Sequence, residues 1–340
     1  MEVFTLFRVC LYMLKVPLIL VIITVFFSVY QIICSLSMPR LSVNPYIHKT
    51  RIKTDLNTED IKIAFDVMPI SDSSIFPEIS NISLFRNISQ IGQIKTSYFY
   101  DMTYSNIFMY FQPIITHDER HFMLYTFEIF IRACQKANIT YFLYGGTLMG
   151  AYRQHGMIPW DDDIDVMLNS SEKRKARTVL SKVPNFGLFS PHKRQWKFYH
   201  KSLRTLSHKP YRWPFIDIFF FAENDTHIWD TALSYRDEFV YKKSIIFPLQ
   251  YRPFEKTLLP VPCNILKTLK TNYLVQVCST TNFLHKLESG TPTRYKKRVS
   301  CKRLHEIYPF VFRHETYDSI IESILINGTL IKSAVLPKYC

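Results

Sequence analysis

The sequence predicts an α+β fold preceded by an N-terminal transmembrane helix, on three observations. An uncharged apolar run lies near the N-terminus, short apolar strands later alternate with amphipathic helices, and a cluster of aspartates opens one of those strands. The chain has 340 residues, enough for one main domain with an appendage, since single cores stop growing at roughly 250–300 residues. Hydrophobic residues make up 47% and aromatic residues 15%, which excludes a disordered chain.

Residues 1–15 read as a short cytoplasmic tail. No charged residue occurs from Val16 to Pro39. About 20 apolar residues match the hydrocarbon core of a bilayer, whereas a signal-peptide core has roughly 7–15. Residues 16–38 are therefore expected to be a transmembrane signal anchor, with a cleaved signal peptide, cut near Ser35 or Ser37, as the alternative. Flanking charge does not orient the span, because Arg8 and Lys15 precede it while Arg40, Lys49 and Arg51 follow. The acceptor pattern Asn-x-Ser/Thr orients it better: Asn81, Asn87, Asn138, Asn169, Asn224 and Asn327 all follow the span. A luminal body is expected, in a single-pass type II protein of the Golgi or endoplasmic reticulum membrane. A glycan on Asn169 would crowd the aspartates just before it.

Residues 39–112, mixed in composition and without sustained helical period, are expected to be a luminal stem. A catalytic domain is placed at 113–265. Thr116-His-Asp-Glu119 has the spacing of a capping box, and Phe122, Met123, Phe127, Phe130 and Ile131 continue it as an amphipathic helix ending near Lys136. Tyr141–Tyr144 reads as a short buried strand, Gly145-Gly146 as a turn, Thr147–Gln154 as a short helix and Asp163–Leu168 as a strand. A helix over Ser171–Leu180 follows, then an aromatic and basic stretch through residues 195–200 and 209–214. Phe215–Phe221 is a strongly apolar strand whose one charge is Asp217. Residues 266–340 form a C-terminal extension with helical stretches and no assignable motif, expected either to complete an acceptor site or to mediate self-association as a homo-oligomer.

Of seven cysteines, Cys10 and Cys34 lie in or beside the span. Cys134, Cys263, Cys278, Cys301 and Cys340 contain no Cys-x-x-Cys pair, so a zinc ribbon has no support. An oxidising lumen permits one or two disulfides among these five and leaves one thiol over. The formal charge of +14 is spread along the chain. For a luminal protein it points to anionic small substrates such as nucleotide diphosphates rather than nucleic acid.

Within a strand, residues two apart face the same way, so Asp163 and Asp165 share a face while Ile164 points to the core. Two carboxylates 4 Å apart repel by about 4 kcal/mol at an effective dielectric near 20. Either one is protonated or a divalent cation lies between them; oxygen-only ligands suit Mg²⁺ or Mn²⁺ better than zinc. Asp217, costly to bury alone in so apolar a strand, finds its natural partner in the same site. The Gly-Gly turn at a helix start, with Thr147, offers backbone N–H groups to a donor's phosphates. Arg153 and His155 lie where a cation could meet phosphate, as do Lys193, Arg194, Lys197 and Arg204. Asp161 joins the candidate ligands in the second rank; with Asp162 it either caps the turn or binds through water. Trp160 reads as a packing anchor, and Arg252 with Glu255 as an internal ion pair.

Tyr144-Gly-Gly-Thr-Leu-Met-Gly-Ala-Tyr-Arg153 and Ile158-Pro-Trp-Asp-Asp-Asp-Ile-Asp-Val166 together resemble the LicD family, which includes bacterial phosphocholine transferases and the animal fukutin and fukutin-related proteins. The likeness continues through Trp213-Pro-Phe-Ile-Asp217 and covers roughly residues 120–265. It implies a nucleotidyltransferase-like mixed sheet with flanking helices. It also implies a CDP-linked alcohol donor, with Asp163, Asp165 and Asp217 as metal carboxylates. An acceptor hydroxyl on a glycan would attack the phosphorus of ribitol phosphate, phosphocholine or a similar group, and CMP would leave. The competing expectation is a catalytically silent relative that binds glycan or escorts a partner.

Overall fold

The computed structural model describes Ile91, residues 106–338 and Cys340. The expected tail, membrane anchor and most of the stem lie outside the described residues, as do Asn81 and Asn87. Among the described residues no helix is long and apolar enough to cross a membrane.

After a single 3-10 turn at Ile107–Phe111, α1 (His117–Lys136) begins as its spacing predicts. The Glu119 N–H donates to Thr116 Oγ1 (3.2 Å), and the Thr116 N–H donates to Glu119 Oε2 (2.9 Å), closing the capping box. The chain then lays down β1 (Tyr141–Leu143), α2 (Gly145–Gln154), β2 (Ile164–Asn169), α3 (Lys173–Leu180), β3 (Phe186–Phe189) and β4 (Trp196–His200). Next come β5 (Phe215–Glu223), β6 (His227–Asp230) and β7 (Val240–Lys242). Their sheet has the order β1-β2-β5-β4-β3, with β6 joining β5 and β7 outside β6. It is mixed: β2 and β5 run parallel, and the other pairs are antiparallel.

Alternation along the central strands separates two cores. Ile164, Val166 and Leu168 of β2 and Ile216, Ile218 and Phe220 of β5 pack in the larger core with Met123, Phe127 and Phe130 of α1. Met167, Phe219 and Phe221 face the other way, with Phe142, Ile228 and Tyr241. Asp165 and Asp217 belong by parity to this second face. Strand β4 lies within the stretch read only as aromatic and basic; Trp196 and Phe198 enter the larger core, while Lys197 is opposite Asp217.

Beyond the sheet, α4 (Lys243–Ile246) leads to the hairpin of β8 (Gln250–Phe254) and β9 (Thr257–Val261), then α5 (Ile265–Asn272). Two small pairs follow: β10 (Val277–Ser279) with β13 (Arg298–Ser300), and β11 (Phe283–Leu284) with β12 (Ser289–Gly290). The chain ends in a meander of β14 (Phe310–Glu315), β15 (Ser319–Ile326) and β16 (Thr329–Pro337). The helical stretches expected after residue 266 are thus confined to the rest of α5 and short 3-10 turns; most of the extension is strand. Asn327-Gly328 between β15 and β16, with φ of 47° and 72°, is the hairpin signal that betrays this in the sequence.

The extension is fastened to the preceding domain within one unit that runs to Cys340. The Trp160 indole N–H donates to the Ser279 carbonyl (2.9 Å), and its ring meets those of Phe111 and Tyr308, making it the expected packing anchor. Buried Lys286 pairs with Glu119 (2.6 Å), and buried His155 with Glu322 rather than with a cleft group. Disulfides join Cys263 to Cys340 and Cys278 to Cys301, leaving Cys134 as a buried thiol. Arg252 and Glu255 do not pair: Glu255 takes Arg120 and the Met157 N–H, while Arg252 donates to Gln250 Oε1.

Candidate active site

The parallel register of β2 and β5 sets Asp165 directly beside Asp217, and Asp163 stands one residue before β2. Carboxylate oxygens of Asp163, Asp165 and Asp217 lie within 4.8 Å of one another. These three sequence-predicted residues are brought together. Asp161 faces the same cleft outside that tight group, its Oδ1 accepting from the Asp162 N–H (3.2 Å). Asp162 is fully buried and holds the C-terminal segment, accepting from the Lys286 N–H (2.8 Å) and pairing with His285 Nδ1 (3.1 Å).

Helix α2 starts at the glycines themselves, and the reason is steric. Gly145 has φ +52°, and a Cβ there would lie 2.4 Å from Asp165 Oδ2; one on Gly146 would lie 2.9 Å from Asp161 Oδ2. The Gly146 N–H donates to Asp165 Oδ2 (3.2 Å), and the Asp165 N–H donates to Thr147 Oγ1 (2.7 Å). Gly145, Gly146 and Thr147, expected to meet a donor's phosphates, therefore hold Asp165 at the positive end of the helix. Both glycines still border the cleft. Arg153, also expected at phosphate, is buried and spends its Nε and Nη2 on the carbonyls of Val275 (3.1 and 2.7 Å) and Val277 (2.8 Å). These bonds tie it to the cleft wall, and it also lines the cleft.

Two cations temper the acids. Lys197 Nζ donates to both oxygens of Asp217 (2.8 and 3.1 Å) and sits 3.6 Å from the Phe215 ring centroid. His285, in the turn between β11 and β12, bridges Asp162 and Asp163, its Nε2 3.3 Å from Asp163 Oδ2. Sequence reasoning missed His285: it is a lone histidine 123 positions from Asp162, in a segment without a motif. Arg194 and Lys209 line the cleft, whereas Lys193 and Arg204 do not.

Burial raises the carboxyls of Asp161, Asp163 and Asp165 above the ordinary carboxylate range. Asp163 pushes Asp161 and Asp165 further, Asp217 does so for Asp163 and Asp165, and His285 opposes all three shifts. Burial alone would lower His285, but Asp163, Asp162 and Asp217 outweigh it and raise the imidazolium well above its usual value. The oxygens of Asp163, Asp165 and Asp217 form a donor set that suits a hard divalent cation, while the His285 nitrogen joins Asp162 and Asp163 in a second, mixed group beside it.

The cleft encloses about 810 Å³, within the range of small-molecule sites. Tyr144, Phe219, Tyr235 and Phe239 form an aromatic wall beside the acids. The opposite wall comes from Leu274 to Glu288. Asn169 lies at the far end of β2, four residues and about 13 Å of strand from Asp165. The crowding expected from a glycan there is relieved; its amide donates to Glu223 Oε1 (2.7 Å).

Residues 138–264 match the family described as LicD/FKTN/FKRP, nucleotidyltransferase domain. Over 48 residues the chain is 48% identical to the lipopolysaccharide cholinephosphotransferase LicD of Haemophilus influenzae, a stretch covering 14% of this chain and 18% of that protein. It is 26% identical over 149 residues to the ribitol-5-phosphate transferase FKTN of Homo sapiens, covering 43% of this chain and 31% of the relative. With the human ribitol 5-phosphate transferase FKRP the figures are 25% over 145 residues, 41% and 28%. The chain spans less than a third of the length of each of these three relatives.

Proposed function

With a nucleotidyltransferase domain belonging to the LicD/FKTN/FKRP family in residues 138–264, the chain is, we propose, a metal-dependent transferase. It would move an alcohol-phosphate group from a CDP-linked donor to a glycan hydroxyl and release CMP. The observation that carries this reading is the convergence of Asp163, Asp165 and Asp217 within 4.8 Å beside a cleft of small-molecule size.

Asp163, Asp165 and Asp217 would hold Mg²⁺ or Mn²⁺, with Asp161 close by. Bound there, the ion supplies charge neutralisation at a phosphoryl centre. The protein's own residues bind and orient. Gly145 and Gly146, lacking side chains, let the carboxylates of Asp165 and Asp161 pack against the start of α2. Arg194 and Lys209 supply positive charge along the cleft for the donor's phosphates. The wall of Tyr144, Phe219, Tyr235 and Phe239 excludes water from one side. Asp217 would in addition polarise the acceptor hydroxyl. In the transfer the hydroxyl oxygen bonds to the phosphorus of the alcohol phosphate, the bond to the CMP oxygen breaks, and the hydroxyl proton passes to a carboxylate or to solvent.

The proposed setting is the lumen of the Golgi or endoplasmic reticulum, with residues 16–38 as a single-pass anchor. Two disulfides suit an oxidising compartment, and Asn138, Asn224 and Asn327 are exposed acceptor asparagines. A second reading, a silent relative that binds glycan or escorts a partner, draws on Lys197 and His285, which already neutralise part of the acid cluster. Incubating the purified full chain with Mn²⁺ and a panel of CDP-alcohols, with and without a glycan acceptor, separates the two. Chelator-sensitive release of CMP is expected; the absence of both CMP release and binding of any CDP compound would sink the enzyme reading.

A further inference from the structure

Glu288 stands outside the residues matched to the family, next to β12 in the same turn as His285. Its backbone is left-handed (φ 51°) and its side chain only 9% exposed. One carboxylate oxygen, Oε2, accepts from the Tyr211 hydroxyl (2.6 Å) and lies 3.4 Å from Lys209 Nζ. The other, Oε1, is buried without a hydrogen-bond partner and lies 3.9 Å from Lys197 Nζ. Buried carboxylate oxygens are rarely left unsatisfied, so this one asks for a use.

Lys197 suggests it. Its ammonium donates to both oxygens of Asp217, is enclosed over the Phe215 and Tyr211 rings, and has just one other carboxylate in ion-pair reach among the described residues, Glu288. A divalent cation at Asp217 would contend with that ammonium for the same two oxygens, and two positive charges on one carboxylate repel. A buried lysine left without an anion is strongly disfavoured. Moving Nζ by about 1 Å toward Oε1 would bring the 3.9 Å separation to hydrogen-bond length.

We propose that Glu288 is a positioning residue that takes over Lys197 when a divalent cation occupies Asp217, and thereby sets the affinity of the site for that cation. The inference rests on the cation reading above. It assigns part of the site's tuning to the C-terminal extension and gives the unsatisfied oxygen its role.

The test is a double-mutant cycle on the full chain, with Mn²⁺ binding followed by the electron paramagnetic resonance signal of the free ion. Glu288→Gln keeps the size and an oxygen for Tyr211 but removes the charge; its Mn²⁺ affinity is expected to fall on the order of tenfold. Lys197→Met removes the competing ammonium and is expected to bind Mn²⁺ more tightly than wild type. Adding Glu288→Gln to Lys197→Met is then expected to change affinity by less than about twofold. Wild-type affinity in Glu288→Gln overturns the proposal, as does an equal loss with and without Lys197. Should Glu288→Gln fail to fold, Lys197→Met decides alone, unchanged or weaker binding counting against. No Mn²⁺ binding by the wild type would remove the cation reading itself, an outcome distinct from binding that ignores Glu288.

Discussion

The two walls of the cleft are built differently. The acids come from β2 and β5, paired strands in the heart of a sheet, where parallel register puts Asp165 beside Asp217 and alternation turns both to one face. His285, which tempers them by direct contact, and Glu288, which faces Lys197, come from a turn between two two-residue strands. Regular pairing fixes the position of a charge by geometry that adjoining residues enforce. The turn relies on longer-range fastenings: Lys286 to Glu119, the Asp162 carboxylate, and the Cys278–Cys301 disulfide. Removing Asp165, the strand aspartate without a cationic partner among the described residues, should therefore abolish chemistry without harming the fold, whereas loosening the turn should weaken the site and the stability together.

The sharpest break of this contrast is substitution of Asp163, Asp165 or Asp217 by Asn. Turnover is expected to fall on the order of 10³-fold or more, as for loss of a group that acts on transition-state charge. For Asp165→Asn, thermal unfolding of the cation-free protein should stay level or rise, because a repelling buried charge is gone; Asp217→Asn, which strips buried Lys197 of its anion, should lower it. A lowered midpoint in Asp165→Asn would mean that the cluster is structural. Replacing both Cys278 and Cys301 by Ala, which releases a link between positions 23 apart, is expected to cost about 3 kcal/mol by loop entropy. Denaturant titration measures it, and substrate KM is expected to suffer more than the chemical step.

Gly145→Ala tests the strand side from beneath. Its Cβ would meet Asp165 Oδ2, and φ +52° disfavours any side chain, so about 2 kcal/mol of stability should be lost. Mn²⁺ affinity should drop with it. His285→Gln is the mildest. Because His285 is raised in the folded state, its stabilisation is complete below about pH 6.5, the unfolded value, and disappears as pH climbs through the elevated folded value. Wild type should exceed the variant by about 1.5 kcal/mol at pH 6 in chelator, the worth of a hydrogen bond to a charged group. The gap should close in alkaline buffer, and a gap independent of pH would contradict the ion bridge.

The same contrast explains what was legible in the sequence. The capping box at Thr116, the strands around Asp163 to Leu168 and Phe215 to Phe221, and the shared face of Asp163 and Asp165 follow from local spacing, and Asp217 stands out as the lone charge in its apolar strand. Lys197 was legible as a cation near the site but not as the partner of Asp217, because that depends on β4 pairing with β5. Arg153 invited a phosphate role from its position between the glycines and the acids; only the fold brings the carbonyls of Val275 and Val277 onto it. The glycines looked like a cradle for a ligand, and their nearest tenant is Asp165. His285 and Glu288 carry no local signal, since their roles depend on contacts with residues 77 to 123 positions away.

Diffraction from Mn²⁺-soaked crystals, with anomalous differences collected near the manganese edge, tests the central claim most directly. A peak within coordination distance of carboxylate oxygens from Asp163, Asp165 and Asp217 is expected, and it should vanish in Asp165→Asn. No peak at millimolar Mn²⁺, or one confined to other residues, would contradict the account.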